Sequence, residues 1–413
     1  MVGSMDTNRP VSRLGLLFKA GSRYQEGSAQ AGIVHRLRNS VGLGTRSSTS
    51  INVLYRAGRL GSDFRAFSTR DLFMVEIDVL RDYVADALPV LGEVGSLPGF
   101  KWWELNESED VMKLEISQLK ERPEKYLVEL IHKAAYRQGP LGNSLYSPKR
   151  LVGKHSSELL ESFVSKHLLS GEATLFGLDI DHELLLQYAT DALPLASGQA
   201  QPSPASNYLG GQIRKEKGGP LAHVIIAGEG ASVQDSKGLA AQAVLSGVLG
   251  TGPRIVYGSG MGLGRLAKAG ASASGNDAFG VSAFTASHVD SGLFGLYAVA
   301  QADKAAQVIK AVLQPLKDVA SSGIDEAELQ RAKNQAKANI LLRIESGDGI
   351  FQDLASQTLL GGGTINSPDE LLTVIDGIKA NDVQQVARKA ASGKPSMAAI
   401  GNLDNTPYLD ELF

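Results

Sequence analysis

The 413-residue sequence contains no cysteine. That absence excludes a disulfide framework, a thiol nucleophile, an iron–sulfur cluster and a thiolate zinc site together. Any metal would have to rest on Asp, Glu and only seven histidines. An excess of one charge is also missing: 41 Lys and Arg against 44 Asp and Glu leave a net charge of −3. A field that weak does not mark out nucleic acid or an anionic membrane surface as a partner. No basic stripe with interleaved aromatics occurs either, so no nucleic acid is expected. Long hydrophobic runs are absent too. The longest, such as LAHVIIAG from Leu221, are of strand length, whereas a bilayer span takes about 20 apolar residues, so the chain is expected to have no membrane span of its own. The opening MVGSMDTNRP shows neither a secretory apolar core nor an Arg/Ser-rich amphipathic presequence.

What is present belongs to a globular protein: 43% hydrophobic and 21% charged residues. The length is beyond one compact core and implies about two or three domains. A polar, turn-rich stretch from Ala196 to Gln212, ASGQAQPSPASNYLGGQ, breaks both helical and strand periodicity with Pro, Gly and Ser, so it reads as a linker near the middle of the chain.

The two sides of that linker repeat each other. The first side opens with a strand, RLGLLFKAG from Arg13, a turn with Gln25 and Glu26, and a helix ending near SVGLGT at Ser40–Thr45. The second opens with AHVIIAGEG from Ala222, a turn with Gln234 and Asp235, and a helix ending near SGVLGT at Ser246–Thr251. Each then has a strand pair, from Phe64 and from Phe279, and a long helical stretch, from Glu107 and from Asp325. Pro123 must kink or break the first of those stretches. Each closes with a helix, a Ser-Gly turn (Ser170–Gly171, Ser392–Gly393) and a short strand. Strands mixed with long helices, without strict βαβ alternation, predict α+β architecture: two homologous domains, each a mostly antiparallel sheet with helices packed on one face. The expected boundaries are 1–195, a linker at 196–212, and 213–413.

One helix carries a chemical pattern. In AGIVHRLRNS, His35 and Asn39 lie four apart and share a face, with Arg38 beside them. This is the spacing of the inverted zinc-peptidase motif H-x-x-E-H. In that motif two histidines bind zinc and the intervening Glu acts as base toward the bound water.

At this point the chain resembles the pitrilysin and mitochondrial-processing-peptidase family, and within it the core-protein branch found in ubiquinol–cytochrome c reductase (complex III). The runs that carry the likeness are PVSRLGLLFKAGSRY from Pro10, VSAFTASHVDSGLFGLY from Val281, and SGKPSMAAIGNLDNTPYLDEL from Ser392. They occur in order within the duplicated layout. The resemblance places the first zinc histidine at His35, the catalytic Glu at Arg38, the second histidine at Asn39, and the third ligand, a Glu on the first long helix, at Glu115. Asn is a poor zinc ligand, and His35 with Glu115 supplies two protein ligands where catalytic zinc normally has three. A guanidinium cannot act as base near pH 7. About 4 Å from a divalent ion it would oppose binding by several kcal/mol. No catalytic, metal or cofactor-binding residues are therefore expected; the four positions read as the remnant of a zinc site, with Arg38 paired to Glu115 or another nearby carboxylate.

The resemblance implies a non-catalytic structural and assembly subunit of complex III on the matrix side of the mitochondrial inner membrane. Its expected partners are core protein 1 and other complex III subunits, within a dimeric membrane complex. It implies no cofactor. The alternative it carries is the non-catalytic, substrate-binding subunit of a processing peptidase; a lone active zinc peptidase comes third. Relatives begin with an extra strand that this sequence lacks on inspection, so either the sequence is truncated or the first sheet is one strand short, with an edge to be covered.

Other candidates have bland readings. His132 and, likewise, His155, His167, His182, His223 and His288 read as packed or surface histidines. GSGMGLG at 258–264 lacks the ending of a P-loop and reads as an inter-strand loop. The mixed-sign runs KERPEK and IRKEKGG read as solvated faces. Trp102 and Trp103 are expected to pack at a helix start.

Overall fold

The computed structural model describes residues 1–199, 202, 205–252, 264–275, 277–361, 363 and 365–413. The first half runs β1 (Val2–Met5), β2 (Val11–Phe18), α1 (Ile33–Arg38), α2 (Ser50–Arg59), β3 (Phe64–Ser68) and β4 (Phe73–Leu80). It continues with α3 (Val84–Ser96), α4 (Trp102–Glu107), α5 (Glu109–Glu121), α6 (Pro123–Tyr136), α7 (Ser157–His167), β5 (Ala173–Leu178) and α8 (His182–Asp191). The second half runs β6 (Gly211–Glu216), β7 (Leu221–Glu229), α9 (Ser236–Leu249), α10 (Arg265–Ser274), β8 (Gly280–Ser287) and β9 (Gly292–Gln301). It ends with α11 (Ala305–Ser322), α12 (Glu326–Glu345), α13 (Gly347–Leu360), α14 (Pro368–Asp376), α15 (Ala380–Ser392) and β10 (Ser396–Gly401).

Two five-stranded sheets share one topology, β1-β5-β2-β4-β3 and β6-β10-β7-β9-β8. In each, one edge pair is parallel (β1 with β5, β6 with β10) and the rest are antiparallel. The α+β architecture and the duplication are therefore present strand for strand. Pro123 stands at the first turn of α6, where its missing N–H costs nothing, and so separates α5 from α6.

One expectation is corrected. The first sheet is not a strand short: β1 pairs in parallel with β5, from Val2 opposite Leu175 to Met5 opposite Leu178. Four residues, VGSM, are too few for an alternating pattern to register, and this strand is held by backbone ladder bonds. Its counterpart β6 begins at Gly211, inside the stretch read as linker.

The chain forms two compact units that do not follow a single cut. Unit 1 takes residues 1–118, 143–204 and 345–365; unit 2 takes 119–142, 205–344 and 366–413. In unit 1, β2 alternates as the pleat demands. Leu14, Leu16 and Phe18 join Phe73, Val75 and Ile77 of β4 in a core with residues of α1, α3, α7 and α8. The opposite face, carrying Gly15 and Phe176, receives α13, whose Phe351 meets Phe176 edge-on with ring centroids 5.6 Å apart. In unit 2, Val224, Ile226, Phe294 and Leu296 form the core with α9 to α11, α14 and α15. Its opposite face, with Ile225, Leu293, Ala398 and Ile400, receives α6. Each sheet thus carries its main helical layer on one face and a single helix on the other.

Candidate functional site

The site sits in unit 1, where α1 faces α5. The chain enters α1 through Gly32 at φ +83°, a left-handed conformation that favours glycine. A Cβ there would also lie 2.2 Å from the Ser147 Cα, so glycine lets the 147 segment close over the helix start. That closeness matters for the chemistry. The Ser147 backbone N–H donates to His35 Nδ1 at 3.2 Å. With Nδ1 accepting, the His35 proton resides on Nε2 and is given to Glu115 Oε2 at 2.5 Å.

Glu115 Oε2 is the point of convergence. Besides His35, it accepts from Arg38 Nη2 and from Asn39 Nδ2 at 3.3 Å. Asn39 Nδ2 also donates to the His35 carbonyl at 3.0 Å, which holds the amide on the helix flank. Tyr146 closes the group: its ring meets His35 edge-on at 5.3 Å, and the Arg38 guanidinium lies 5.7 Å from its centroid. The three motif positions, His35, Arg38 and Asn39, therefore converge on Glu115, the residue supplied by the family resemblance.

The electrostatics follow. Burial alone would push the Glu115 carboxyl up, but the His35 hydrogen bond, the Arg38 charge and the Asn39 amide outweigh it and bring it down to about 2. His35 is fully buried. Burial lowers its pKa, the Arg38 and Arg36 charges push the same way, and the Glu115 contact opposes them only in part. The set at neutral pH is a neutral imidazole, a carboxylate and a guanidinium.

Such a donor set does not suit zinc. The His35 nitrogen that would face a metal carries a proton, the carboxylate is already neutralised by a tethered cation, and Asn39 offers its NH2 group inward. Among the described residues no group of three or more His, Asp or Glu is arranged to hold a metal ion. Nor does the site hold a base able to activate water: the carboxylate that could serve is engaged by three donors.

Sequence reasoning missed Arg36. It is 2% exposed, donates from Nη1 to Ser108 Oγ at 3.1 Å and Met112 Sδ at 3.3 Å, and from Nη2 to the Leu105 carbonyl. Burial lowers its pKa, with Glu109 opposing. It ties α1 to α4 and α5 and so sets the distance at which Glu115 meets His35.

The remaining histidines fall as follows. His155 is buried, its pKa lowered by burial despite a backbone hydrogen bond and further by the Arg36 charge. His167 packs with tilted rings against Phe163 and Tyr24, centroids 4.6 and 5.5 Å apart. His182 Nδ1 contacts Ser4 Oγ at 2.9 Å, and His223 Nδ1 the Tyr297 hydroxyl at 2.8 Å. In unit 2, His132 and His288 face each other, Nε2 to Nε2, at 3.0 Å. His132 Nδ1–H donates to the Val128 carbonyl at 2.7 Å, so the shared proton comes from His288. Nothing in a separation of 156 residues signals that pair. Trp102 and Trp103 do not pack as expected: they are 66% and 49% exposed and meet only edge to face. α4 is one and a half turns long and spends its buried positions on Glu104 and Leu105. The glycine run at 258–263 lies outside the described residues, which resume at Gly264.

With this geometry in hand, comparison with known proteins places the chain. Residues 1–149 match the insulinase (peptidase family M16) domain, and residues 154–336 match the peptidase M16 inactive domain. The chain belongs to the M16 peptidase family. Within the family it is similar to the mitochondrial cytochrome b-c1 complex subunit 2 of Homo sapiens, with 36% identity across 100% of this chain and 90% of that protein. The Mus musculus protein of the same name is 34% identical over the same shares. A probable mitochondrial-processing peptidase subunit alpha-1 of Arabidopsis thaliana is 29% identical, covering 100% of this chain and 82% of its own length.

Proposed function

We propose that the chain is a non-catalytic structural and assembly subunit of mitochondrial ubiquinol–cytochrome c reductase, the counterpart of core protein 2. The observation that carries the non-catalytic part of this reading is an ion pair in place of zinc chemistry. Where the peptidase motif needs a base and a second imidazole, Arg38 and Asn39 both donate to the carboxylate that would be the third ligand. His35, Arg38, Asn39 and Glu115 are in this reading the remnant of a metal centre, kept as a structural cluster. The full-length likeness to a cytochrome b-c1 complex subunit supports the assignment to that complex. No described helix is long and apolar enough to cross a membrane. In this reading, which rests on the likeness to the core proteins, the protein docks from the matrix side of the inner membrane against core protein 1 and the other subunits of a dimeric complex. It needs no cofactor of its own.

The test is a native gel of mildly solubilised mitochondria, probed for this chain and for cytochrome c1. Co-migration at the size of the respiratory dimer is expected. Migration as a small heterodimer apart from the cytochromes would overturn the reading and favour the processing-peptidase partner. A second arm addresses the remnant: the native chain should bind no stoichiometric zinc, whereas Arg38→Glu combined with Asn39→His should gain measurable zinc binding. Stoichiometric zinc on the native chain would refute the ion-pair reading.

A further inference from the structure

Unit 1 leaves a group of large apolar side chains outside its core. Ile51 of α2 is 76% exposed, more than any other large apolar residue among those described, and Leu54, Tyr55, Trp102 and Trp103 are exposed with it. The helical repeat explains why α2 ends this way. Val53 and Ala57 point into the core, while Leu54, Gly58, Ile51 and Tyr55 follow in order around about the next 100° of the helix and face outward. The apolar arc is about twice the width that one core contact uses. The turns that lead into α2 and α4 are laced together. Thr45 bridges Pro98, the Arg46 N–H donates to the Leu97 carbonyl at 2.9 Å, and the Gly44 N–H donates to Glu104 Oε2 at 3.0 Å.

The charges around these side chains have two signs. From Thr45 to Leu60 the charged residues are three arginines and no acid. Glu93 takes Arg56, and Arg46 and Arg59 stay exposed. Beyond the tryptophans the sign reverses: Glu107 and Asp110 are exposed, and Lys113 stands against Glu109 and Asp110. An anionic bilayer would be drawn to the arginines and repelled by Glu107 and Asp110, whereas a protein surface can answer both signs. Trp, Tyr and Arg are also the residue types that anchor protein interfaces, and an apolar patch with a polar rim marks one.

We infer that α2 and the Trp102–Trp103 pair form a docking surface for another protein subunit of the complex. That subunit brings an apolar face, with carboxylates toward Arg46 and Arg59 and a cation toward Glu107 and Asp110. The inference rests on the reading of this chain as a complex subunit and adds to it a place and a partner chemistry. The apolar stripe supplies the driving force by leaving water. The two signs of charge at its margins set the orientation of the partner and reject surfaces of a single sign.

Hydroxyl-radical footprinting, read residue by residue, tests it on the isolated full chain, on the complex in membranes, and on the complex solubilised and delipidated. Tyr55, Trp102 and Trp103 should react at least tenfold more slowly in the delipidated complex than in the isolated chain. Protection that is lost on delipidation would assign the surface to lipid and overturn the inference, as would equal reactivity in all three samples. Protection that grows with concentration in the isolated chain would assign it to a second copy and overturn it too. A variant gives an independent check. Tyr55→Ser combined with Arg59→Glu, both exposed, should leave thermal unfolding of the isolated chain unchanged, yet cut the share migrating with cytochrome c1 on a native gel at least tenfold. Undiminished migration would overturn the docking surface. If the parent chain itself fails to migrate with cytochrome c1, the subunit reading falls and this inference with it; co-migration with an unprotected patch sinks the docking surface alone.

Discussion

α1 and α9 hold the same place in the two units, and their internal bonding shows the register. Ser40 Oγ donates to the Arg36 carbonyl and Ser246 Oγ to the Gln242 carbonyl, both at 2.9 Å. On that register His35, Arg38 and Asn39 stand opposite Ala241, Val244 and Leu245. The second helix buries those three as plain hydrocarbon, each 1% exposed or less. The first sets an imidazole, a guanidinium and a carboxamide there, all meeting the Glu115 carboxylate of α5. Because unit 2 closes with hydrocarbon at these three positions, the fold does not require a polar cluster there. The cluster in unit 1 is electrically self-sufficient, since a buried charge survives only when paired.

Several substitutions would break or sharpen this contrast. The largest effect should come from carrying the unit 1 residue into unit 2. Val244→Arg would bury a cation among Leu245, Val248 and Phe294 without a carboxylate partner, costing more than about 4 kcal/mol. Denaturant unfolding should show it, and a variant as stable as the parent would mean that α9 has an acceptor nearby.

Next comes Arg36→Ala against its counterpart Gln242→Ala. Losing the buried guanidinium removes its bonds to the Leu105 carbonyl and the Ser108 hydroxyl, which keep only the bond between themselves, and should cost about 2–4 kcal/mol. Gln242 accepts one bond, from Ala231 N–H at 2.8 Å, so its loss should cost about 1–2 kcal/mol. Equal losses would erase the distinction between a charged and a neutral anchor.

Glu115→Gln should lower stability at pH 7 by about 1–2 kcal/mol, because the site is partly open to solvent. Its diagnostic is the pH profile. The folded carboxyl titrates at about 2, below its ordinary value of 4.5. Its contribution is therefore complete above about 4.5 and drains away as pH falls toward 2. The buried His35, whose pKa is lowered, adds a loss in the same direction as pH drops below its ordinary value of 6.5. Glu115→Gln should flatten the lower part of that profile, read from unfolding midpoints between pH 6 and 2. A steep profile retained in the variant would assign the acid sensitivity elsewhere.

The smallest functional effect belongs to His35→Ala. It should cost about 1–2 kcal/mol of stability through a lost hydrogen bond and a small cavity, yet leave incorporation into the respiratory complex unchanged on a native gel. Failure to assemble with the fold intact would give the cluster a role beyond holding α1 to α5.

Much of this was legible in the residues. The absence of cysteine confined any metal to His, Asp and Glu before a helix was placed. The four-residue spacing of His35 and Asn39 put them on one face, because helical geometry is local. The duplicated order of strands and helices followed from periodicity and turn residues for the same reason. Glu115 entered through family resemblance, 80 positions from His35. The strand β1 escaped notice because a four-residue parallel edge shows no alternation, and the His132–His288 pair because contact across two elements leaves no spacing. Arg36 escaped too: its bonds run to Ser108 and to the Leu105 backbone, neither of which marks a partner in sequence.

Local residue chemistry was enough to specify most of the elements, and to set Arg38 and Asn39 at the two places after His35 where the H-x-x-E-H pattern has a glutamate and a histidine. Tertiary structure decided that Arg38, His35 and Asn39 share a single carboxylate oxygen, and that α6 and α13 serve the unit opposite to their own half of the chain. The reason is that an amphipathic face records how much apolar surface must be buried but not against what; the hydrophobic effect has no direction. Only the shape of the recess over Gly15, and the Arg13–Asp348 pair at its rim, select the helix that fills it.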